Sequence, residues 1–114
     1  MSLFRRRRAP VASASRAEAR AEAGQVRAHL EEFARSRRGV EAFVEPATTV
    51  TPPTVLLVAA TGEWTRRRVA DPSIVRDLAV RLSVPVYDVQ LVGYPQRMRD
   101  WNERAKRDGQ PPVD

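Results

Sequence analysis

No cysteine occurs in the 114 residues of this chain, which excludes disulfides, a thiolate nucleophile and cysteine-bound zinc together and fits a reducing compartment. Histidine is nearly absent as well. His29 stands alone, so catalytic triads and histidine-built zinc sites are excluded by inventory. Its helical spacing from Val26 and Phe33 makes it a partly exposed packing residue. The five glycines, at 24, 39, 62, 93 and 109, are not spaced as a Rossmann or Walker loop. No cofactor and no metal is therefore expected, and no catalytic residue is assigned. Only seven residues are aromatic, and Trp64 alone sits beside strand arginines, which gives little support to single-strand base stacking. The longest apolar run, "VLLVAA" at 55 to 60, is strand-sized and far short of the roughly 18 residues of a membrane span. No membrane partner is expected.

What the chain has in abundance is arginine. The formal charge is +6, and 19 of the 20 basic residues are arginine, Lys106 being the exception. Abundant Ala, Val and Pro and a single isoleucine, Ile74, point to a GC-rich genome, so part of this signature is codon bias. A guanidinium still binds phosphate bidentately whatever its origin. The clusters are Arg5, Arg6, Arg7 and Arg8; Arg35 with Arg37 and Arg38; Arg66, Arg67 and Arg68; and Arg97 with Arg99.

The periodicity predicts one domain. Residues 1–12 lack a pattern and carry four adjacent like charges, which reads as a disordered basic arm; with no apolar stretch behind it, it is not a secretory signal. Its Arg, Ser and Ala content is shared with organelle transit peptides, but a basic bacterial arm explains the same residues. Residues 13–107 are expected to form a single α/β domain, and 108–114 a disordered tail. "SRAE" at 15 to 18 is a capping box that starts the first helix, with Ala19, Ala23, Val26, Leu30 and Phe33 as its apolar stripe and Gly39 as its stop.

"VEAFVEPATTVTPPTVLLVAATGEWTRRRV" reads as three strands joined by tight turns at "TPPT" and "ATGE". With Thr61 and Gly62 as the second turn, Trp64 would lie opposite Ala59, Arg66 opposite Leu57 and Arg68 opposite Val55. Arginine then falls on both faces of the third strand, which belongs at a sheet edge. "DPSIVRDLAVRLS" is a second helix with Asp71 as N-cap and Pro72 at the first helical position. "VPVYDVQLV" supplies a fourth strand, parallel to a neighbour and placed beside the first. "YPQRMRDWNERAKR" is a third helix with Met98, Trp101 and Ala105 on its apolar side. The order is α-β-β-β-α-β-α, a mixed four-stranded sheet made of an antiparallel meander plus one parallel strand, with helices packed on it: an α/β (α+β) fold.

The same order up to the last strand occurs in the restriction-nuclease-like core, where clustered acids and a lysine hold a metal. Here "TVLLVAA" has no acid, and Glu63 is followed by Trp64 and Thr65 where a lysine would be wanted. An active nuclease is not expected. A catalytically empty nucleic-acid-binding relative is the fold-level analogy that remains.

Tyr87, Asp88, Tyr94 and Arg97 fall at the end of the fourth strand and the start of the last helix, where α/β proteins often place ligands. They are pocket candidates, with Arg97 and Arg99 as anion donors. The plainer reading buries both tyrosine rings and gives Asp88 a structural hydrogen bond. Arg5 to Arg8, Arg66 to Arg68, Arg97 and Arg99 are the nucleic-acid or anion-binding candidates; Glu41 and Glu45 on the first strand are acids that could pair with some of them.

The blocks "VEAFVEPATTVTPPTVLLVAATGEWTRRRV" and "VPVYDVQLVGYPQRMRDWNER" resemble a group of short uncharacterised actinobacterial proteins over roughly residues 25 to 103. The resemblance implies a bacterial cytoplasmic protein and carries no activity. Some members bear an automatic oxidoreductase label, which neither a dinucleotide motif nor a redox cysteine supports here. The expected function is a non-enzymatic binding or accessory protein engaging RNA, DNA or a ribonucleoprotein through its arginines. The alternatives are a protein-interaction module or homodimer using the first helix, and a small enzyme acting near Asp88 and Arg97.

Overall fold

The computed structural model describes the backbone from Ser2 to Gly109 and side chains from Ser15 to Gly109. Its elements are α1 (Ser2–Ser36), β1 (Glu41–Glu45), β2 (Thr54–Val58), β3 (Trp64–Arg68), α2 (Ser73–Arg81), β4 (Val86–Asp88), α3 (Val89–Val92) and α4 (Gln96–Arg107). The strands form one sheet in the order β3-β2-β1-β4. β1 pairs antiparallel with β2 and β2 antiparallel with β3, while β4 runs parallel to β1. The expected α+β architecture is therefore present, with the arginine-bearing third strand at one edge and the fourth strand beside the first.

β2 explains the stack. Val55, Leu56, Leu57 and Val58 are all fully buried, as a continuous apolar run must be when both faces of the strand are covered. On one face Val55 and Leu57 join Ala42 and Val69 under Leu30 and Phe33 of α1 and Ile74 and Leu78 of α2. On the other, Leu56 and Val58 join Phe43 and Trp64 under Met98 and Trp101 of α4. The stripe expected for the last helix is the one that packs, with Met98 and Ala105 buried.

Four local expectations are corrected. First, α1 passes through Ser15, so the Ser15–Glu18 box does not begin it; the preceding residues are mostly Arg and Ala, both strong helix formers. The side chains of Arg5 to Arg8 and residues 110–114 lie outside the described residues. Second, β1 and β2 are joined by residues 46–53, not by a tight turn at "TPPT". Within that loop Thr48 Oγ1 accepts from the backbone N–H of Val50 (3.2 Å) and Thr51 (3.0 Å).

Third, the β2–β3 register is one residue off the expected one: Trp64 pairs with Val58, Arg66 with Leu56 and Arg68 with Thr54. The cause is a loop of three residues, Ala60 to Gly62, closed by Ala59 N–H to Glu63 O at 2.8 Å and Gly62 N–H to Ala59 O at 2.9 Å. Gly62 takes φ 95° in it, as the left-handed last position of such a loop requires. A one-residue slip moves every side chain to the other face. Trp64, Arg66 and Arg68 thus lie on the α4 side.

Fourth, β4 stops at Asp88. The Asp88 carboxylate accepts the Gln90 N–H at 2.8 Å and caps the single turn of α3, so "VQLV" is helical rather than extended. At α2 the expected start holds: Asp71 accepts the Ser73 N–H at 2.9 Å and Pro72 is helical at φ −64°, ψ −17°.

Candidate functional site

On the α4 side of the sheet, the register places Glu45, Thr54 and Arg68 in one row across β1, β2 and β3, with Arg66 one step inward on β3. α4 covers the opposite half of this face through Met98 and Trp101, so the polar row lies at the uncovered end. Glu45 is its hub. Arg66 grips the carboxylate with two bonds, Nε to Oε1 at 3.1 Å and an amino group to Oε2 at 3.3 Å. The Thr54 hydroxyl donates to Oε1 and the Tyr94 hydroxyl to Oε2. Partial burial alone would raise the pKa of Glu45, but the Thr54 and Tyr94 hydrogen bonds and then the Arg66 charge outweigh it and hold the carboxyl below its ordinary value. The same contact raises the pKa of the Tyr94 phenol, since a hydroxyl donating to a carboxylate is costly to ionise. The Arg66 guanidinium also lies 5.5 Å from the centre of the Trp64 ring, whose Nε1 donates to Asn102 of α4 at 2.7 Å.

Arg67 and Thr65 point to the other face, where they meet the lone histidine. An amino group of Arg67 donates to His29 Nδ1 at 3.4 Å, and His29 Nε2 lies 2.7 Å from the Thr65 hydroxyl. Because arginine only donates, the ring proton is assigned to Nε2. Burial, then the charges of Arg67 and Arg37, lower the His29 pKa and keep the ring neutral. Arg67 also donates to the Arg66 carbonyl at 2.7 Å. His29 is thus the strut that carries α1 onto β3, a pairing that spacing within α1 alone gave no means to foresee.

Arg68 is exposed. With Arg66 and Arg67 it lines an open groove of about 410 Å³ whose other wall is Thr51, Pro52 and Thr54. Of the three arginines that line it, Arg66 is paired with Glu45 and Arg67 reaches His29 on the other face. A second, apolar cavity of about 260 Å³ adjoins it through Pro52 and Arg68 and runs beneath Ala19, Ala23 and Val26 of α1. Since Ala59 bonds to Glu63 and Val69 to Pro53, alternation along the ladder turns the backbone groups of Trp64, Arg66 and Arg68 away from β2, toward the open margin.

The remaining sequence candidates split between two roles. Arg97 clamps α4 to the sheet: Nε donates to Ala59 O at 2.9 Å, and one amino group reaches Glu41 Oε1 at 2.5 Å and Val58 O at 3.3 Å. Arg99 donates to the Tyr94 carbonyl at 3.1 Å. Tyr87 stacks on Phe43 with centroids 5.4 Å apart, half-buried beside the polar row. Asp88 is spent on capping. The structure therefore brings Arg66 and Tyr94 together on Glu45, places Arg68 in the same row and Arg67 on the opposite face with His29, leaves Tyr87 adjacent through Phe43, and assigns Arg97, Arg99 and Asp88 to holding α3 and α4. Arg37, in a cluster noted for charge, forms a two-bond pair with Glu63 at 3.2 and 2.7 Å above the Phe33 ring.

Among the described residues, no three His, Asp or Glu side chains converge as a metal cluster, and no helix is long and apolar enough to cross a membrane. The arrangement offers positive charge along the open margin of β3, with Arg68 exposed. Comparison of the chain with protein-family models, with curated proteins and with solved structures gave no match.

Proposed function

We propose that the protein is a non-enzymatic binding protein that engages the phosphate backbone of RNA or DNA, free or within a ribonucleoprotein, through the groove at the β3 margin. One observation carries the reading: the three consecutive arginines lie on an edge strand whose outer side is open, with Arg68 exposed and turned to the same face as Arg66. Side chains two apart on a strand stand roughly 6.8 Å from one another, so Arg66 and Arg68 present an extended rather than a point charge. Arg66 is held in place by Glu45, which also takes up part of its charge and leaves Arg68 as the exposed donor. Arg5 to Arg8 add four positive charges in sequence, whatever their placement. Phosphate contacts of this kind position a backbone and carry no base sequence.

Fluorescently labelled RNA and DNA, titrated at about 50 mM and about 200 mM salt, test the reading. Binding is expected at the lower salt and should weaken steeply at the higher. Arg68→Glu should lower the affinity and make the salt dependence shallower by about one unit of slope. No binding of either nucleic acid at about 50 mM salt removes the reading, because electrostatic affinity is greatest there.

A second reading, a protein-interaction module using α1, is favoured by the exposure of every described residue from Ser15 to Glu22 and by the apolar cavity beneath Ala19 and Ala23. Deleting residues 1–24 decides it: an unchanged particle mass and unchanged set of bound proteins would count against it. The third, an enzyme acting near Asp88 and Arg97, loses its support because both side chains are held in capping and clamping bonds.

A further inference from the structure

The two margins of the sheet differ in chemistry. β3 ends one side in arginine. β4 ends the other in a surface that is nearly uncharged and apolar. Seven large apolar side chains are exposed among the described residues, and five of them, Val86, Tyr87, Leu91, Val92 and Tyr94, fall on β4, α3 and the turn that follows. Leu91 is 85% exposed and Val92 56%, so this margin carries apolar surface that nothing among the described residues covers. Between Val86 and Tyr94 the only charged residue is Asp88, and its carboxylate is occupied by the Gln90 N–H.

The backbone of this margin is open as well. Ala42 N–H donates to Pro85 O at 2.8 Å, and Ala42, Phe43 and Val44 stand beside Val86, Tyr87 and Asp88. In a parallel ladder with that bond, Tyr87 turns its backbone toward β1 while Val86 N–H and C=O and Asp88 N–H turn outward.

We infer that β4 and α3 form the interface with a second copy of this chain, two β4 strands running antiparallel about a two-fold axis at Tyr87. In that pairing the Asp88 N–H of each copy reaches the Val86 carbonyl of the other, and the two Tyr87 residues face one another as a non-hydrogen-bonded pair. The self-complementary character of a two-fold contact requires the same patch on both sides. A second copy brings the same open backbone groups and the same apolar stretch, in which Asp88 is the one charge, so on a chain of net charge +6 this margin is where two copies place the fewest like charges near each other. A three-residue strand and one helical turn lie at the small end of specific interfaces, below about 1,200 Å². The dimer is therefore concentration-dependent rather than obligate.

Sedimentation equilibrium of the full chain without nucleic acid, from about 1 µM to about 1 mM, spans the range of weak association. The weight-average mass of the wild type should rise from 12.8 kDa toward twice that value. The double variant Leu91→Asp with Val92→Asp should stay at the monomer mass throughout with an unchanged circular dichroism spectrum, since both side chains are exposed. Arg68→Glu, at the opposite margin, should dimerise at least as strongly as the wild type, since it leaves the contact intact and lowers the net charge that opposes it. Added salt should strengthen association, because it screens the mutual repulsion and breaks no ion pair in the contact. A wild type that stays monomeric at every concentration, a double variant that dimerises unchanged, or a dimer lost on raising the salt would each overturn the inference.

Discussion

The carbonyl oxygen of Arg97 rests against the α-carbon of Gly62, so close that a β-carbon at position 62 would stand 2.0 Å from it. The loop that sets the β2–β3 register and the helix whose clamp is Arg97 are therefore seated on one another at a position only glycine can fill. Gly62→Ala adds a steric clash with backbone to the cost of φ 95°. It should destabilise the fold by about 3 kcal/mol or more, read as a lower midpoint in urea with little change in slope.

Glu45→Gln should move stability and binding in opposite directions. The substitution weakens the bonds to Arg66 and removes the carboxylate charge paired with it. Arg66 is 41% exposed, so solvent screens the ion pair and the loss is on the order of 1 kcal/mol. Affinity for a nucleic-acid backbone at low salt should rise several-fold, because Arg66 no longer shares its charge. Thermal melts and the same fluorescence titration measure the two effects on one sample.

Acid should destabilise the protein in two stages, and both signs follow from lowered pKa values. For His29, the folded state binds fewer protons than the unfolded chain below the ordinary value of 6.5. Its contribution is complete above that pH and is lost as the pH falls through the folded value. Glu45 behaves alike below 4.5. Denaturant midpoints from pH 8 to about 2 should show the first decline beginning just below 6.5 and the second below 4.5; His29→Gln should flatten the first and leave the second in place.

Ser83 has φ 55°, a left-handed backbone just past the end of α2 that lacks the glycine usual there. Ser83→Gly removes that strain while adding freedom to the unfolded chain, so a net gain of roughly 0.5–1 kcal/mol is expected. The melting temperature should rise by a few degrees. An unchanged or lower value would show that the serine side chain contributes more than its backbone costs.

Much of the architecture is legible in the sequence because its causes are local. Arginine on both faces of a strand is incompatible with a central position, which places Trp64–Arg68 at an edge, and the spacing of Met98, Trp101 and Ala105 picks out the buried side of α4. The register of β3 is not legible, because a turn of two residues and a loop of three ending in glycine share the letters "ATGE". That single residue decides whether Arg66 stands on the side of Glu45 or on that of His29. The extent of β4 is obscured for a related reason: "VYDVQLV" alternates well enough for a strand until the Asp88 side chain is seen to cap Gln90. Glu41 and Glu45 are visible as acids within reach of arginine, but not their roles. The first holds Arg97 and the second gathers Arg66, Thr54 and Tyr94, which requires the sheet order and the path of the last loop together.

The arginines that line the margin of β3 have one more effect, on growth. Exposed strands commonly allow molecules to add without end, one sheet continuing into the next until a fibre forms. Two copies that met along Arg66, Arg67 and Arg68 would set rows of cations about 4.8 Å apart, and such an addition would be repelled before its backbone bonds could close. Whatever joins elsewhere on the molecule, polymerisation along this direction terminates there, leaving a finite particle rather than an aggregate.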